Sequence, residues 1–188
     1  MNAAENFLDI SVKLFGYYKS LADRSLALLD DEEIHFRPDD NSNNIATLVK
    51  HMSGNMLSRF TDFLTSDGEK PWRNRDAEFE DTYTSKEALL RDWEKGWDCL
   101  FDALSDLRAD DLTRIVYIRN EGHTVLEAIT RQTAHYSYHC GQIVFLAKHI
   151  KGARFPALSI ARGASRQFNQ AKFEQEAERK FFTDGGKA

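Results

Sequence analysis

An all-α fold is what this 188-residue sequence predicts: an antiparallel four-helix bundle with a short extended segment before the fourth helix and a short C-terminal helix. Three observations predict it. Apolar residues recur at 3-4 spacing over long segments, the period of one helical face. Only three prolines occur, Pro38, Pro71 and Pro156, and each lies where that period lapses. Two segments open on capping-box sequences, a hydroxyl followed three residues later by Glu. With 41% hydrophobic residues the chain can bury a core of its own, so residues 1–170 are expected to form one domain, with a polar, partly helical tail at 171–188.

The first helix is expected from about Asn2 to Leu29, with Phe7, Ile10, Leu14, Tyr17, Leu21 and Leu28 along its inner face. The polar run DDEEIHFRPDDNSNN ends it, and Ser42, Asn43 and Asn44 are candidate N-caps for a second helix reaching about Ser66. That helix carries Ile45, Leu48, Met52, Met56, Phe60 and Phe63 inward. The stretch DGEKPWRNRDAEFEDTY has Gly, Pro and dense charge without period, and loops of this length inside a compact domain are usually functional or disordered. Thr84-Ser85-Lys86-Glu87 reads as the capping box of the third helix, whose stripe is Leu90, Trp93, Trp97, Leu100, Leu104 and Leu107. In RIVYIRNEGHTV a β-rich run meets Asn-Glu-Gly, which predicts a short extended segment or hairpin. Thr124-Val125-Leu126-Glu127 then opens the fourth helix, running to about Ile150, and a shorter polar helix is expected from about Ala164 to Phe182. Four helices of about 22 to 28 residues would match at roughly 33 to 42 Å, which suits a bundle.

Composition removes several function classes. Twenty-five Lys and Arg stand against 30 Asp and Glu, and a net charge of -5 argues against a general nucleic-acid binder. No stretch approaches the roughly 18 apolar residues of a membrane span, and the start, MNAAENFLDISVKLFGYY, lacks the pattern of a secretory leader. Cys99 and Cys140 are too few for a disulfide framework, so the expected location is cytoplasmic.

Six histidines remain to be placed. On the fourth helix Ile129, Thr133, Tyr136, Cys140, Ile143, Ala147 and Ile150 form the core stripe. A second row, Ala128, Gln132, His135, His139, Gln142 and Leu146, lies one position earlier, about 100° around the helix. His135 and His139, four apart, sit one turn above each other and can chelate one ion. Such a pair alone is more often packing or surface. A third candidate raises the odds: His51 on the second helix begins a polar row with Asn55 and Arg59 beside the apolar stripe, and a bundle lets two such rows converge.

At these residues the chain resembles the DinB-like superfamily, the YfiT-type metal-dependent proteins, in a branch known as a domain of unknown function. The resemblance is carried by His51 in LVKHMSGNMLSRFTDFL and by His135 and His139 in RQTAHYSYHCGQIVFLAKHI, with its GQI after the second His. The stretches DGEKPWRNRDAEFE and LSIARGASRQFN resemble that branch in particular, so nearly all of residues 1 to 170 is covered. The resemblance implies an up-down-down-up four-helix bundle in which His51, His135 and His139 bind one divalent ion, commonly nickel, zinc or iron, often in a homodimer. Some relatives are S-transferases or isomerases using bacillithiol, mycothiol or glutathione, so a low-molecular-weight thiol and a small-molecule substrate are the implied partners.

Three neutral imidazoles leave an ion its full charge and an open position, where a water or thiol would lose its proton near neutral pH. A zincin would read H-E-x-x-H, but Tyr136 follows His135, which disfavours peptide hydrolysis. Asn55, Arg59, Arg131 and Gln142 lie on the same rows and are candidate substrate contacts, although Arg59 and Arg131 serve equally as structural ion pairs. Trp72, Arg73 and Arg75 in the long loop could cover a pocket mouth and hold a carboxylate, or could be solvated. Cys140 falls on the core stripe, Cys99 has no His near it in sequence, and His35, His123 and His149 share neither row, so all five read as structural. The expectation is a metal-dependent thiol S-transferase, or else a metal-binding or dimeric interaction protein without turnover.

Overall fold

The computed structural model describes residues 1–184 and is mostly helical. Four long helices, α1 (Ala3–Leu26), α2 (Ile45–Phe60), α3 (Lys86–Ser105) and α4 (Val125–Lys151), share one hydrophobic core, and α5 (Ser165–Phe173) follows them. β1 (Ile115–Ile118) and β2 (Glu121–Thr124) form an antiparallel hairpin directly before α4, pairing Ile115 with Thr124 and Ile118 with Glu121. Arg119 and Asn120 make its two-residue turn at φ 58° and 62°, the left-handed pair that a tight hairpin requires. Among the described residues no helix is long and apolar enough to cross a membrane. Residues 185–188 of the expected tail lie outside the described residues.

Side-chain caps set the helix starts. Asn2 and Thr124 each form a full capping box, with Glu5 and Glu127. Asn44 caps α2 by accepting from the Thr47 amide at 2.8 Å. The capping box expected at Thr84 is not formed: Ser85 is the cap and accepts from the Ala88 amide at 3.2 Å, one residue later. Both positions carry a hydroxyl, and sequence spacing alone cannot select between them. At the C-terminal ends, α2 stops at Phe60 rather than near Ser66, because Thr61 turns extended and Asp62 takes φ 49°. α5 ends at Phe173 instead of Phe182.

α1 packs on α4 and α2 on α3, and α2 also meets α4. The buried face of α1 is not the expected stripe but Ser11, Phe15, Ala22, Ser25 and Leu26. Apolar side chains cover so wide an arc of α1 that periodicity cannot locate its centre. Ser11 and Ser25 fit the close approach because their hydroxyls donate to Phe7 O and Leu21 O within the helix. On α3 and α4 the expected stripes are mostly buried, with Leu89 replacing Leu90. Trp97 sits at the centre against the edges of Trp93, Phe15 and Tyr136. The Trp93 indole N–H donates to Asp23 at 2.7 Å, tying α3 to α1.

Helices α2 and α3 approach closely at Gly96 on α3, where a Cβ would meet Ser53 Cα and Met56 Cε of α2 at 2.9 Å each. Gly96→Ala is expected to destabilise the protein by about 1–2 kcal/mol, overpacking exceeding the gain in helix propensity. Gly16→Ala on α1 meets nothing within 4 Å and is expected to stabilise by about 0.5–1 kcal/mol. Urea unfolding of both variants beside wild type measures the contrast.

Candidate metal centre

His51 lies in the middle of α2, a helix with 13 buried residues, and His135 and His139 lie one turn apart on α4. Where α2 meets α4 the three rings converge, with His51 and His139 buried and His135 half-buried. His135 Nε2 is 3.3 Å from His51 Nε2 and 3.1 Å from His139 Nε2. One potential ligand atom from each residue falls within 4.8 Å of the others.

The opposite ring nitrogens determine what these atoms can do. His51 Nδ1–H donates to Glu78 Oε2 at 2.9 Å, His135 Nδ1–H to Gln132 Oε1 at 3.3 Å, and His139 Nδ1–H to Gln142 Oε1 at 2.7 Å. Gln142 is itself oriented by donating its amide N–H to the Tyr138 hydroxyl at 3.0 Å. An imidazole whose only proton is on Nδ1 has a bare lone pair on Nε2. Three bare lone pairs therefore point at one another, an arrangement that repels unless a cation lies between them. Burial first, and then the neighbouring histidines and arginines, push the His135 pKa down to about 3. Burial also lowers that of His139, so both rings stay neutral. Imidazoles at about 2.0–2.1 Å from one tetrahedral ion stand about 3.3 Å apart, close to the two spacings from His135. The residues fit a divalent ion by donor type and by the closeness of their ligand atoms.

Glu78 is the residue that the sequence did not single out. It lies in the long segment after α2, in a 3₁₀ turn (Asp76–Phe79), and is buried. Arg73 grips both its oxygens, Nε to Oε1 at 2.7 Å and Nη2 to Oε2 at 2.9 Å. Burial alone would raise the Glu78 carboxyl, but the His51 hydrogen bond and Arg73 hold it below its usual range, ionised. A carboxylate behind a ligating imidazole fixes its tautomer and strengthens it as a donor. Phe79 stacks on the His51 ring at 4.8 Å between centroids. The segment is an ordered wall rather than a free loop. Gly68 N–H donates to Tyr117 O of the hairpin at 2.8 Å, and Asp67 accepts the amides of Arg119 and Asn120 at 2.9 Å each. Nothing in its aperiodic sequence separates Glu78 from Glu69, Asp76 or Glu80, which is why it escaped detection.

The other expected site residues divide. Asn55 is buried and its Oδ1 accepts the Tyr136 hydroxyl at 2.8 Å. Arg59 and Arg73 are buried in an ionic cluster with Glu69, at 3.2 and 3.3 Å. Arg75 lies over the Phe79 ring at 5.3 Å, and Arg131 is exposed on α4. Trp72 is 59% exposed and does not face the histidines' cavity. Gln142 touches His139, as described. Cys140 is buried in the core, where burial pushes its thiol pKa up, and the partly buried Cys99 lies 3.6 Å from Thr61 Oγ1. His35 bonds Asp81 at 2.8 Å, while His123 lies on β2 and His149 in the last turn of α4, all outside the cluster.

The support behind His51 can be tested without touching a ligand. Glu78→Gln is expected to weaken zinc or nickel affinity by about tenfold or more. Gly54→Ala on α2 should do likewise, because the new Cβ would stand 2.5 Å from Glu78 Oε1 and displace it. Competition against a chromophoric chelator measures both.

No curated protein and no solved structure matches the chain. Residues 2–164, which include all four long helices and the whole histidine cluster, match a family defined only as proteins of unknown function, DUF1572, and the chain belongs to that family.

Proposed function

We propose that the protein is a DinB-like, up-down-down-up four-helix-bundle metalloprotein. His51, His135 and His139 hold one divalent ion, nickel, zinc or iron, that activates a low-molecular-weight thiol for transfer to an electrophile. One observation carries the metal reading: all three Nδ1–H groups are already donated outward, which leaves three bare Nε2 atoms facing a common point. A divalent ion bound by three neutral imidazoles supplies Lewis acidity that makes a thiol or water acidic near neutral pH.

The chain's own residues favour the thiol over water. Hydrolysis of the zincin kind uses a carboxylate as general base beside the nucleophile, and Glu78, the carboxylate bonded to His51, has both oxygens occupied by Arg73 and His51. A thiolate needs no such base, since it is nucleophilic once deprotonated. Glu78, Gln132 and Gln142 orient the three rings. Phe79 covers one face of His51, and Asn55, held by Tyr136, presents a polar group beside it.

Elemental analysis of dialysed protein after incubation with nickel or zinc tests the metal reading. Wild type should retain about one ion per chain, and His51→Ala and His135→Ala should retain little. Absence of metal in wild type, or equal retention in both variants, would overturn the site. A panel of thiols with a chromogenic electrophile tests the chemistry: metal-dependent conjugation supports transfer. Metal retention without conjugation by any thiol would instead support a binding protein without turnover.

A further inference from the structure

A cavity of about 250 Å³ opens beside the cluster, and five arginines line it together with His51 and His135. They arrive from four parts of the chain: Arg59 on α2, Arg73 and Arg75 on the segment after it, Arg119 at the hairpin turn and Arg131 on α4. Their carboxylate partners do not balance them. Glu69 takes Arg59 at 3.2 Å, Arg73 at 3.3 Å and Arg119 at 3.0 Å, and Glu78 takes Arg73 at 2.7 Å. Burial would raise the Glu69 carboxyl, but Arg73, Arg59 and Arg119 keep it below its usual range and ionised. Five guanidiniums against two carboxylates leave an excess of three positive charges. Even with Asp67 counted, whose oxygens accept hairpin amides, the excess is two.

Arg75 and Arg131 have no carboxylate partner among the described residues, and each stands at the cavity with its forked donors unpaired. Guanidiniums brought together this way repel one another, and the pairing that relieves them is bidentate hydrogen bonding to carboxylate or phosphate. The cavity volume suits a small molecule rather than a peptide.

We propose that this cavity is the substrate pocket, and that its ligand is a small molecule with at least two carboxylate or phosphate groups. Arg75, Arg119 and Arg131 hold the anionic groups, and the reacting end lies toward the three Nε2 atoms. The assignment rests on the metal-site reading above and narrows its substrate class: the neutral thiols of a panel are poor ligands and the multiply anionic ones good ligands.

The test is made on metal-free full-length protein, so that it separates from the metal reading. Calorimetric titration with mercaptosuccinate, with inorganic phosphate and with neutral monothioglycerol should show binding of an anion and none of the neutral thiol. Tighter binding of mercaptosuccinate identifies carboxylate as the preferred group, and tighter binding of phosphate identifies a phosphorylated ligand. Arg75→Gln and Arg131→Gln, both at exposed positions, should each weaken anion binding about tenfold while leaving nickel or zinc retention unchanged. Failure of wild type to bind either anion overturns the pocket, as does anion affinity unchanged in both variants. Anion binding that survives while wild type takes up no metal refutes the metal reading alone.

Discussion

The centre of this structure is a convergence of histidine rings. Three imidazoles each turn Nδ1 outward, to Glu78, Gln132 and Gln142, and Nε2 inward, with His135 Nε2 3.3 Å from that of His51 and 3.1 Å from that of His139. Most of the surrounding architecture serves that arrangement. α2 is buried along nearly its whole length, which holds His51 in place. α4 presents two adjacent rows, one of Tyr136 and Cys140 into the core and one of His135 and His139 toward α2. The aromatic packing of Trp97 on Phe15 and Tyr136 joins α3 to α1 and α4. Tyr136 joins the two systems, since its ring is core and its hydroxyl holds Asn55 beside the histidines.

The segment between α2 and α3 has two electrostatic roles. It brings Glu78 to His51, which needs a buried anion, and Arg73 makes that burial tolerable by binding both carboxylate oxygens. The same segment brings Arg73 and Arg75 to the cavity beside the cluster, where Arg59, Arg119 and Arg131 meet them. A negative chain overall thus concentrates positive charge at one point. The hairpin is part of the device: Asp67 binds the amides of its turn, and that turn carries Arg119.

Much of this was legible in advance. The 3-4 periodicity of α2, α3 and α4 located their core stripes, the Thr124 capping box located the start of α4, and the polar rows picked out three of six histidines. The errors have local causes. α1 is apolar over too wide an arc for its buried face to be read from spacing. α2 ends early because the Thr61–Asp62 backbone leaves the helix, although Phe63 continues the apolar period and still packs on the core. At Thr84 and Ser85 two neighbouring hydroxyls competed for one cap.

The family match assigns the chain to a group without a defined activity, so chemistry has to be argued from the site. What the sequence determined by itself was which side chains share a face, because helical periodicity is a local property: His135 with His139, and His51 with Asn55 and Arg59. Gln132 and Gln142, each three residues from its histidine, orient the α4 rings locally, but tertiary structure alone decided which carboxylate stands behind His51, that the α2 ring meets those of α4, and which arginines remain unpaired. Those depend on contacts across 27 residues from His51 to Glu78 and 84 from His51 to His135. No local pattern encodes them, since they arise only when an aperiodic segment packs against two helices at once.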